Sequence, residues 1–106
     1  MLDAQVLVLD LIRCLRPLVE RMRATCPDLA GQVVRAATSV GLNLAEGIRR
    51  KGADKRRVYR LAAAEAQEVK AALEIAAAWA ALDDADLVDA RALADRVGRI
   101  TYALAR

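Results

Sequence analysis

Apolar residues return at three- and four-residue steps along nearly the whole chain, and three clusters of breakers interrupt them. These clusters are Cys26-Pro27-Asp28, Lys51-Gly52-Ala53-Asp54 and Asp83-Asp84-Ala85-Asp86. The pattern predicts four helices, over roughly 4–24, 28–50, 54–82 and 86–105. Connections this short force successive helices to run antiparallel, so the expected fold is an all-α, up-down-up-down four-helix bundle forming a single domain.

The first helix places Val8, Leu11, Ile12, Leu15, Leu18, Val19 and Met22 on one face. Pro17 lies inside it, and its missing amide and ring clash predict a kink between Arg13 and Leu18 or a break into two helices. Asp28 and Asp54 are the expected N-caps of the second and third helices. The second helix turns Leu29, Val33, Ala36, Val40 and Leu44 inward. Its Gly41 and Gly47 each cost about 1 kcal/mol relative to alanine, which implies close approach of another helix at both.

The third helix carries two offset seams. One runs through Tyr59, Ala62, Ala66, Val69, Leu73, Ala76 and Ala80, the other through Leu61, Glu65, Glu68, Ala72, Ile75, Trp79 and Leu82. Two seams predict two covered faces, one for the core and one for a neighbouring subunit. Trp79 is expected in the core, with a subunit contact as the alternative. The fourth helix opens on Asp83, Asp84, Asp86 and Asp89, favourable beside a positive helix end, and presents Leu87, Ala90, Leu93, Ala94, Val97, Ile100 and Leu104.

Composition narrows the function. The aromatics are Tyr59, Trp79 and Tyr102, and alanine-rich helices bury little area each, so they must pack their backbones closely or borrow surface from another copy. Cys14 and Cys26 read as ordinary thiols in a reducing cytoplasm. The segment 1–12 contains Asp3 and Asp10 with no basic lead, and reads as a helix rather than an export leader. No apolar run reaches the ~18 residues of a membrane span. Without histidine a zinc site is nearly excluded, and no cofactor is expected. A Gly-rich phosphate loop, a nucleophile elbow and a Cys–His pair are all missing, so no team of catalytic residues can be assembled and the chain is not expected to be an enzyme.

The net charge of +3 conceals a cluster. Arg49, Arg50, Lys51, Lys55, Arg56, Arg57 and Arg60 face only Glu46 and Asp54 within one short segment across the second turn. Phosphate backbones bind such patches through release of counterions, although a solvated helix end would look the same in a lone monomer. Repetition of this tip around a cyclic assembly would gather it into a basic rim. No aromatic is interleaved with the cluster, so backbone-directed, weakly sequence-specific binding of RNA or DNA is expected.

Polar residues also fall where the pattern predicts interior: Ser39, Asn43 and Glu46 on the second helix, Glu65 and Glu68 on the third. The expected arrangement is an interhelical network in which Thr38, Ser39 and Asn43 donate to a carboxylate and fix register. A carboxylate metal site at Glu65 and Glu68 is a remote alternative, because a di-metal bundle uses Glu-x-x-His pairs.

Residues 32–68 carry a further pattern: Gln32, then AATS at 36–39, NLAEG at 43–47, a basic turn, and AAAEAQE at 62–68. The motif Gln-x3-Ala-Ala-x-Ser-x3-Asn-x-Ala-Glu-Gly resembles the four-helix bundle family that includes proteins encoded by intervening sequences in bacterial 23S ribosomal RNA genes. It is similar also to the accessory variability determinant proteins of diversity-generating retroelements. The resemblance implies a ring-like homopentamer with a basic surface, and for the retroelement members binding to nucleic acid and to a reverse transcriptase. Gln32, Ser39, Asn43, Glu46, Gly47 and Glu68 match the motif positions. Ala64-Glu65 departs from it, since the family usually has a small residue followed by serine there.

Overall fold

Helix-favouring alanine, leucine and arginine at 3.6-residue periodicity yield four α-helices: α1 (Asp3–Thr25), α2 (Pro27–Ile48), α3 (Gly52–Ala78) and α4 (Asp84–Leu104). The computed structural model describes residues 2–106; Met1, at the head of the segment 1–12 expected to be helical, lies outside the described residues. Each helix packs on its successor and α4 closes back onto α1, giving the antiparallel four-helix bundle, 43 × 22 × 19 Å. No helix is long and apolar enough among the described residues to cross a membrane.

The core combines large aliphatic side chains and Tyr59 with many alanines. Leu11, Met22, Leu44, Leu73 and Leu87 are fully buried, and so are Val8, Val33, Val40, Val69 and Val97. Ala30, Ala36, Ala62, Ala66, Ala76 and Ala90 let the helix backbones approach where no larger side chain would fit. Burying each leucine contributes about 1.5–3 kcal/mol. Thr101 is the buried polar side chain, and its hydroxyl is satisfied by donating to the Val97 carbonyl at 2.7 Å.

Several local expectations are corrected. α1 does not break into two at Pro17: one helix spans Asp3–Thr25, with Pro17 on the exposed face and Leu15, Leu18 and Val19 held in the core on either side. Asp28 and Asp54 are not caps: Cys26 and Lys51 occupy the N-cap positions, and the two aspartates lie in the first turns, where their charge still favours the positive helix end. Pro27 starts α2, where a proline costs no amide hydrogen bond. α3 ends at Ala78 rather than 82, because Ala80 adopts a left-handed φ of 60° that turns the chain toward α4.

The two seams of α3 have different fates. Tyr59, Ala62, Ala66, Val69, Leu73 and Ala76 are buried as expected, whereas Ala80 is exposed beyond the helix. Along the second seam Leu61, Ile75 and Trp79 lie open to solvent, and Ala72 and Leu82 are covered. Trp79 is therefore not a core residue; it is 69% exposed at the C-cap, where the helix ends. Cys14 and Cys26 are both free and half-buried.

Candidate nucleic-acid interface

The turn between α2 and α3 is fixed by the packing beneath it. A Cβ on Gly47 would lie 2.8 Å from Tyr59 Cδ1, so the absence of a side chain lets the buried tyrosine ring press against the α2 backbone. Gly41 has no such need, since a Cβ there would meet Val8 Cγ1 at an ordinary 3.5 Å. Only one of the two glycines thus marks a close approach. Gly52 closes the connection with φ of +56°, a conformation other residues rarely adopt.

This anchored turn projects the seven predicted cations from one pole, but it does not treat them alike. Arg50 donates to Glu46 Oε1 at 2.9 Å and to Asp54 Oδ2 at 2.9 Å, bridging the end of α2 and the start of α3. Arg49 donates to Glu46 Oε2 at 3.1 Å and Arg57 to Asp54 Oδ1 at 3.3 Å. Hydrogen bonds from Arg50 and then Arg49 hold the Glu46 carboxyl below its ordinary pKa, and Arg50 lowers Asp54 in the same way. Lys51, Lys55, Arg56 and Arg60 make no ion pair among the described residues.

The same pole receives cations that the linear reading overlooked. Lys70 pairs with Asp95 at 2.8 Å, Arg91 with Glu74 at 2.8 Å, and Gly98 packs beside Gln67, so the last turns of α4 run antiparallel beside the first turns of α3. Arg99 and Arg106 therefore lie toward the basic turn, with Arg96 nearer the middle of α4, all three exposed and without an ion pair among the described residues. The signal was available: up-down-up-down order brings the end of the fourth helix to the second turn, and residues 96–106 contain no acid. Asp3, opening α1, is a further carboxylate at this pole.

The expected interhelical network does not form. Asn43 donates to Ser39 Oγ at 3.2 Å within α2, Glu46 is engaged by Arg49 and Arg50, and none of the three bonds to α3. The physical reason is orientation: Gln32, Thr38 and Ser39 line an open groove of about 760 Å³ between α2 and α3, facing outward with Glu65 and Glu68 rather than across the core. Burial, and then the neighbouring Glu68, raises the Glu65 carboxyl above its ordinary pKa. Exposed Val34 and Leu42 edge the α2 side of this groove. Among the described residues no three His, Cys, Asp or Glu side chains converge as metal ligands.

The motif residues thus divide by task. Ala36, Ala37, Leu44 and Gly47 build the interior, Glu46 tethers the turn arginines, and Gln32, Ser39 and Glu68 present a polar lining to the outside. No curated protein matches the chain. A crystal structure of a protein of unknown function from the S23 ribosomal protein family of Bacteroides thetaiotaomicron superposes with a TM-score of 0.84, covering 97% of this chain and 98% of that one at 17% identity. That likeness shows a common fold. The model of the family described as 23S rRNA-intervening sequence protein matches residues 4–103, and the chain belongs to this family.

Proposed function

We propose that the protein is a non-catalytic homo-oligomer, a pentamer as the family resemblance implies, that binds nucleic acid through the basic pole. The observation that carries this is the quartet Lys51, Lys55, Arg56 and Arg60, left without carboxylate partners on a turn rigidly seated on Tyr59. Phosphate contacts release counterions with no need to break an existing ion pair first. Self-association is supported by the α2/α3 groove, edged by Val34 and by Leu42, 68% exposed, and separately by the exposed Trp79 at the far end of α3.

Filter binding of labelled RNA and DNA at low salt, with light scattering for subunit count, tests both halves. Retention of nucleic acid that weakens uniformly across sequences in the double variant Arg56→Ala, Arg57→Ala is the expected result. A monomer that retains neither polymer would refute the proposal. A second function, docking a partner enzyme such as a reverse transcriptase, is favoured by the exposed Trp79. Capture of such an enzyme that survives nuclease treatment distinguishes it.

A further inference from the structure

The α3/α4 seam changes character along its length. Arg91, Asp95, Gly98 and Tyr102 recur at four- and three-residue steps and form one stripe of α4. The first three meet Glu74, Lys70 and Gln67 of α3 in turn. One further turn sets Tyr102 at the level of Ala63, with Arg60 and Arg56 following on the α3 side. In the half nearer α3's C-terminus the cations are clasped by acids; nearer the basic pole the facing stretches 55–64 and 101–106 carry no acidic side chain.

Tyr102 stands in that acid-free half, 66% exposed, with the Arg106 guanidinium carbon 5.9 Å from its ring centroid. An isolated exposed aromatic has no meaning by itself. An exposed ring with an arginine over one face, on a stripe that continues toward the unpaired Arg60 and Arg56 of α3, is different, because it offers its other π-face for a base together with cations for the adjoining phosphates. A duplex buries its base faces in the stack and can use only the cations; an unpaired strand can use both.

Resting on the nucleic-acid reading above, we propose that Tyr102, with Arg106 over its ring and Arg60 and Arg56 further along the facing stripe of α3, is a stacking platform for an unpaired base, so that the pole prefers single-stranded nucleic acid. The linear sequence disguises this, since Tyr102 lies more than forty residues from the basic turn and joins it only through the antiparallel fold. The platform takes any base, because every base has a face to stack.

The test is fluorescence anisotropy with labelled oligo(U), oligo(dT) and a mixed-sequence duplex, each of about 12 nucleotides or base pairs. Tyr102→Ala is expected to weaken binding of the single strands about tenfold and leave the duplex unchanged, while Tyr102→Phe, which keeps the ring, stays within about twofold of the parent. Circular dichroism melts of both variants confirm that the bundle is intact. Equal single-strand affinity for Tyr102→Ala and the parent would overturn the stacking role while leaving the basic-pole function standing. An equal loss on duplex and single strand would overturn it as well, and failure of the parent to bind any probe would remove both.

Discussion

At the pole where α3 turns into α4, the cations Arg21 and Arg91 are matched by acids. Arg21 pairs with Asp86, and Arg91 is shared between Glu74 and Asp84. Asp83 caps α4 by accepting from the Asp86 amide at 3.0 Å, and the Asp86 carboxylate accepts from the Asp83 amide at 3.1 Å. The Arg21 hydrogen bond, with help from Asp83, pulls Asp86 down to about 2. At the pole where α2 turns into α3, two carboxylates restrain three arginines and leave Lys51, Lys55, Arg56 and Arg60 unopposed. Exposed pairs are worth only about 0–1 kcal/mol each, so the matched pole gains orientation more than strength. The unmatched pole holds its shape by apolar packing under the turn, which leaves its charge available to a polyanion.

The largest effect should come from erasing that contrast. Replacing Lys51, Lys55, Arg56 and Arg60 together by alanine is expected to weaken nucleic-acid binding about a hundredfold at low salt, with the melting temperature little changed. The matched-pole double variant Arg21→Ala, Arg91→Ala should bind within about twofold of the parent, since those cations are already occupied. Parallel filter-binding titrations of the two variants check this.

Packing beneath the turn comes next. Gly47→Ala forces the Tyr59 ring out of place and should destabilise the fold by about 1–3 kcal/mol, outweighing the helical gain of alanine. Gly41→Ala meets only an ordinary contact and should stabilise by about 0.5–1 kcal/mol. Urea unfolding of the pair measures both signs. At the opposite pole, Asp83→Ala should cost about 1 kcal/mol through the lost cap. Because Asp86 has a lower pKa folded than unfolded, its contribution is present above the ordinary carboxylate range and disappears as pH falls through about 2. Asp86→Asn should flatten that part of the acid-unfolding curve.

The smallest effect concerns Glu65. Its raised pKa means that charging it opposes folding, a cost absent below the unfolded-state value and present once pH rises through the folded one. Glu65→Gln should therefore be more stable than the parent at neutral pH by up to about 0.5 kcal/mol, with the difference vanishing in acid. Thermal melts across pH follow it.

The helices, their order and the buried seam of α3 were legible because periodicity and breakers are local signals. Lys51 and Arg56 were legible as candidates for the same reason. Whether a cation is paired was not, since Arg50 and Arg60 look alike in sequence and differ only in which carboxylate the turn brings within reach. Trp79 fits a seam numerically, yet the helix ends under it when Ala80 turns left-handed. Asn43 and Ser39 obeyed an interior spacing but bond along their own helix, because that face of α2 lies at the rim of a groove. Tyr102 and Arg99 join the pole through tertiary pairing alone.

The salt dependence of binding tests the central claim most directly. With four unpaired cations engaging phosphates, the logarithm of the affinity should fall against the logarithm of salt concentration with a slope of about −3 or steeper. Removing Arg56 or Arg60 should make the slope shallower by about 0.7–0.9 each, and removing Arg21 or Arg91 should not move it. A slope indifferent to Arg56 and Arg60, or one that shifts as much for the matched pole, would contradict the account.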